Sequence, residues 1–83
     1  MDQSLAYLHE ILSNYTEDNE AIRNIDENML NQSFSSEGDF VRNLHEQDRR
    51  MLEQILLKEI HHANQVGDHE RGYQLNEVYE LLT

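Results

Sequence analysis

The sequence predicts an all-α fold of three to four helices packed up-and-down. Apolar residues recur at steps of three and four along most of the 83 residues, the spacing that gathers side chains on one face of a helix. Alternating runs of β-branched residues, the mark of strands, are missing. Proline is absent, so nothing interrupts these patterns.

The first helix is expected to run to about Tyr15, with Asp2 or Ser4 as its cap. Leu5, Leu8, Leu12 and Tyr15 form a seam broadened by Ile11, while Tyr7 and His9 fall beside it. That seam serves either the chain's own core or a contact between chains. Thr16 is the expected cap of a second helix over about 17–30, with acids in its first turn where the helix dipole favours them. Ile22, Ile25 and Met29 form its stripe, with Ala21 and Leu30 beside it. One bent helix over 3–30 is the alternative. Residues 31–38, NQSFSSEG, read as a loop between the N-terminal helices and a C-terminal helical hairpin. Phe34 is its apolar anchor.

A long helix is expected over about 37–66. Ser36 and Asp39 resemble a capping box with Asp in place of Glu. Leu44, Leu52, Leu56 and Ile60 form its row, and Val41, Met51, Ile55, Ala63 and Val66 widen it. Glu46, Arg49, Arg50, Glu53 and Lys58 occupy the other face. Glu46–Arg50 is an i,i+4 pair in the favourable order. Gly67 suits the left-handed residue that ends a helix, and Asp68 can cap the next one. A C-terminal helix over about 69–82 follows, with Leu75, Val78, Tyr79 and Leu82 on one face. So short a connection makes the two helices antiparallel. Gly72 costs about 1 kcal/mol inside a helix, and a close backbone approach near Ala63 accounts for it.

Ile60, Ala63, the Gly67–Asp68 pair, Leu75 and Leu82 follow the spacing I-x-x-A-x-x-x-G-D-x-x-x-x-x-x-L. Over roughly the last 25 residues this resembles the IDEAL domain, a short helical hairpin of small Firmicutes proteins. His61 and His62 stand where that family has its acidic pair, Asn64 where it has a leucine, and Gly72 where it has an aromatic residue. The turn also looks like a tetratricopeptide helix pair, with Gly72 at the small position and Tyr79 where a second small residue belongs. One such unit fits, whereas stacked repeats need about three.

A chain of this length makes a single small helical domain, 1–83, with a thin core. It has no Cys, hence no disulfide framework or thiolate zinc site. Its start lacks the basic and apolar regions of a signal peptide, and no stretch is apolar enough to span a membrane. A bacterial, cytoplasmic protein is expected.

The net charge is −11. Residues 1–40 hold nine acids and one base, a net of −8; residues 41–83 hold eight acids and five bases, a net of −3. Such a surface repels phosphates and anionic lipid, so no direct nucleic-acid binding and no membrane contact are expected.

Five histidines, His9, His45, His61, His62 and His69, are the candidate metal ligands. Glu59-x-x-His62 has the spacing found in di-iron bundles, but such sites need two of these motifs and two more glutamates. His61 and His62 point about 100° apart on a helix. Neither a metal, a cofactor nor a catalytic residue is expected. Glu17, Asp18 and Glu20 lack the spacing of a calcium loop, and no phosphate loop or Ser-His-Asp set can be placed. The functional expectation is a small acidic protein–protein interaction or regulatory module, not an enzyme, and a homodimer. Leu5, Leu8, Leu12, Leu44, Leu52, Ile55, Leu56 and Ile60 are its interaction stripe. The alternative is an acidic decoy that inhibits a nucleic-acid-binding protein.

Overall fold

The computed structural model describes residues 3–31 and 37–83; the side chain of Glu37 is outside the description. Among the described residues there are five helices and no strand: α1 (Gln3–Leu12), α2 (Glu20–Asn31), α3 (Glu37–Arg42), α4 (Glu46–Gln65) and α5 (His69–Leu82). The all-α class follows from the apolar spacing as expected. Ser36 and Phe34, and most of the loop over 31–38, lie outside the described residues.

α1 and α2 are separate helices. α1 gives way after Leu12 to tighter turns, in which Asn14 and Tyr15 donate to the carbonyls three residues back. The second helix begins three residues later than expected. Asn19, rather than Thr16, caps it: the Asn19 side-chain oxygen accepts from the Ile22 amide at 3.1 Å. An asparagine at this position satisfies one of the four free N–H groups of the first turn. Thr16 instead turns its hydroxyl back to the Ser13 carbonyl.

The long helix expected over 37–66 is broken at Asn43–His45. At about 100° per residue, Phe40 on a straight helix would sit about 120° from Leu52 and 160° from Leu56. One core could not hold all three. The break lets Phe40 enter the same core as Val41, Leu52 and Leu56. Asn43 supplies the local chemistry, since its side-chain amide donates to the Asp39 carbonyl at 2.7 Å and so competes with helical pairing. His45 then takes an extended conformation ahead of α4.

The C-terminal end of α4 and both ends of α5 fall within a residue of their expected places. Gly67 has φ +79°. The Asp68 amide donates to the Ala63 carbonyl at 2.8 Å and the Gly67 amide to the Asn64 carbonyl at 3.3 Å, the double closure of a Schellman turn. Asp68 caps α5 by accepting from the Arg71 amide at 3.2 Å. Gly72 is buried against α4. A Cβ there would lie 2.7 Å from Asn64 Oδ1 and 3.9 Å from Ala63 Cβ, so the backbones do approach near Ala63.

One apolar cluster joins all five helices. Leu5, Leu8, Ile11 and Leu12 meet Ile22, Ile25 and Met29, then Phe40 and Val41, Leu52 and Leu56, and Leu75, Val78 and Leu82. Side-chain bonds from both ends of α1 reach α5 within a short span. Gln3 bonds Glu70, Ser4 bonds Gln74 and Glu10 bonds Arg71, so α1 lies across the start of α5.

Candidate functional site

The polar side chains that could carry a function fall into three places. The first is the joint of α1, α5 and the α4–α5 turn. Arg71 reaches Glu10 Oε1 at 2.7 Å, and its Nε stands 3.2 Å from Asp68 Oδ2. That second contact is one of charge, because Nε is not aligned for a hydrogen bond. Beside it, the Ser4 hydroxyl donates to Gln74 Oε1 at 2.8 Å.

The second is the α1–α2 joint, where His9 Nδ1 lies 2.7 Å from Asp26 Oδ1. Asp26 is 6% exposed and, with Ser4, makes up the buried polar residues among those described.

The third is a small open cavity of about 80 Å³ where α2, α3 and the start of α4 meet. Ile25, Phe40 and Leu44 give its apolar lining, and Asn28, Asn43, His45 and Asp48 its polar one. No side chain caps α4 there.

Elsewhere on the surface, Glu77 bonds the phenol of Tyr73 and opposes its ionisation by charge, with Glu70 and Glu80 adding smaller effects, and so raises its pKa above the ordinary value. Exposed pairs such as Arg50–Glu46 at 3.4 Å contribute little to stability.

The candidate metal ligands do not converge. Among the described residues, no group of three or more His, Cys, Asp or Glu side chains is placed to hold an ion. Glu59 accepts from Tyr15, and His61, His62 and His69 are exposed. Leu5, Leu8, Leu12, Leu52 and Leu56 of the expected interaction stripe lie in the chain's own core, and Leu44, Ile55 and Ile60 pack partly buried against it.

Sequence reasoning left His9 and Asp26 unconnected. Its faint signal is a histidine beside the α1 seam and an acid next to Ile25, both on apolar helix edges. The family described as minor curli fiber component A matches residues 1–83. The chain belongs to this family. Among curated proteins, the sigma-G-dependent sporulation-specific SASP protein of Bacillus subtilis (strain 168) is 43% identical over 82 residues, which cover 99% of each chain. No solved structure matches the chain.

These relationships correct two expectations about function. The acidic interaction or regulatory module, and the alternative acidic decoy, give way to a full-length relative that is a sporulation-specific SASP protein. The surplus apolar surface that motivates the module is spent inside the core.

The exclusion of direct nucleic-acid contact falls with the same relative. It rests on net charge, which governs long-range attraction over the whole surface and not the make-up of one face. Arg42, His45, Arg49 and Arg50 fall within nine positions, and no carboxylate pairs with Arg49 among the described residues. Membrane contact is a separate matter: no helix among the described residues is long and apolar enough to cross a membrane.

Proposed function

We propose that this chain is a sporulation-specific protein of the small acid-soluble class, made under sigma-G and held inside the developing spore, where it acts without catalysis. The observation that carries this reading is 43% identity to a named sporulation protein across 99% of both chains. The family's own description speaks of a fibre component.

The charge supports the acid-soluble part. With every carboxylate protonated, the six Lys and Arg and the five His leave about eleven positive charges and none negative. A chain so charged repels its own copies in acid as strongly as the −11 chain does at neutral pH. A non-catalytic role fits the three polar places, in which Glu10 and Asp26 are committed to a neighbouring helix, Asp68 to the start of α5, and Asp48 lines a shallow cavity.

The test follows the protein through sporulation in its native host. It should be absent from growing cells, appear late in spore formation, require sigma-G, and be recovered from spores by dilute acid. Equal amounts in growing cells, synthesis without sigma-G, or retention in the acid-insoluble residue would each overturn the reading.

A further inference from the structure

We infer that the His9–Asp26 contact is a pH-set latch that governs how firmly α2 docks on α1. Asp26 is the buried charged residue among those described, and the partner of its carboxylate is a single imidazole nitrogen at 2.7 Å. The histidine ring is partly exposed, so it exchanges protons with solvent directly. Imidazole is the side chain whose charge changes between about pH 5 and 8. With the ring protonated the contact is an ion pair; with the ring neutral it is a hydrogen bond. Charged hydrogen bonds are roughly twice as strong as neutral ones. The joint therefore tightens in mild acid.

Other charges do not substitute for this pair. On α1, Glu10 is held by Arg71 of α5. On α2, Arg23 is taken by the Thr16 carbonyl through two nitrogens, and Glu20 and Glu27 are exposed. From α5, Glu70 bonds Gln3 and Gln74. From α4, Glu59 bonds Tyr15, while Asp48 borders the cavity beside Ile25 and Asn28 and Arg49 is half-buried in the next position. None of these makes a hydrogen bond or ion pair with His9 or Asp26 among the described residues.

Beyond the bonds of Arg23 to the Thr16 carbonyl, α2's polar anchorage is slight. Asn19 reaches Met51 Sδ at 3.6 Å, a weak acceptor. Release of the latch would therefore loosen Ile22, Ile25 and Met29 while α4 and α5 stay paired.

Hydrogen exchange read separately over α2 and over α4–α5 tests this. From about pH 8 down to about pH 5.5, the span in which an imidazole gains its proton, protection of α2 should rise relative to that of α4–α5. The rise should vanish in His9→Gln and in Asp26→Asn, and the melting temperature of the native protein should gain on either variant by on the order of 5 °C. Asp26→Asn keeps a polar group of the same shape and guards against simple misfolding. If α2 tracks α4–α5 throughout in the native protein, or if His9→Gln keeps the rise, the latch is refuted.

Discussion

The hydroxyl of Tyr15 donates to Glu59 Oε1 at 2.8 Å across 44 positions of sequence, so the segment after α1 is tied to the C-terminal half of α4. Burial first, then Glu59 as acceptor and as charge, pushes the phenol up to about 12 from 10.0. Because the folded value is raised, the contribution to stability is whole below pH 10.0 and is lost as the pH climbs to about 12. Native stability should therefore fall more steeply over that interval than that of Tyr15→Phe. Chemical denaturation at a series of alkaline pH values checks this. Parallel curves would show that the bond does not favour the neutral phenol. Tyr73, also raised, is present in both proteins and cancels.

Gly72→Ala should leave the protein as stable or raise its stability by up to about 1 kcal/mol, the helix-propensity difference between the two residues. The new Cβ meets Asn64 Oδ1 at 2.7 Å, but that atom ends an exposed side chain able to swing aside, and Ala63 Cβ stays at an ordinary 3.9 Å. Gly72→Val adds branches at the same joint and should be strongly destabilising. Urea midpoints of the two variants decide the matter. A large loss in Gly72→Ala would mean that Asn64 cannot move.

The parts of the fold legible in the sequence are those set by neighbours along the chain. Gly67 and Asp68 carry their own turn chemistry, and Leu75, Val78 and Leu82 their own spacing, so α5 emerges with its expected bounds. The helix break was hidden because Asn43 is only a weak breaker, and because the decisive fact is where Phe40 must point once α5 is in place. The polar joints were hidden for a related reason. Ser4 with Gln74, His9 with Asp26 and Tyr15 with Glu59 are brought together by packing across 70, 17 and 44 positions, and no local pattern announces such pairs.

Leu8→Ala and Leu56→Ala should each cost about 2–5 kcal/mol, the range for emptying a buried leucine site. Both residues are 0% exposed and belong to the same cluster. Small domains of this length hold little reserve, so at least one variant should be largely unfolded at moderate temperature. Leu57, one residue on from Leu56 but 50% exposed, gives the control: Leu57→Ala should change stability by under about 1 kcal/mol. Helical circular dichroism during thermal melts distinguishes them. A costly Leu57→Ala would mean that the outer face of α4 is covered in solution.

The five histidines give the charge argument its sharpest test. Replacing all five by glutamine leaves the formal charge at neutral pH at −11, because neutral histidine does not enter that sum. In acid the same change removes five of the eleven cations, leaving the six Lys and Arg. Self-repulsion, which keeps copies apart, should then be weaker only on the acid side. Turbidity followed across pH should show the native protein least soluble near its isoelectric point of about 4.6 and clear on either side. The five-fold variant should match it at neutral pH and be less soluble in acid, most visibly in salt, which screens what repulsion is left. His9→Gln alone should change acid solubility little, because one cation in eleven is lost. If the five-fold variant dissolves in acid as well as the native chain, net charge is not what keeps this protein in acid solution.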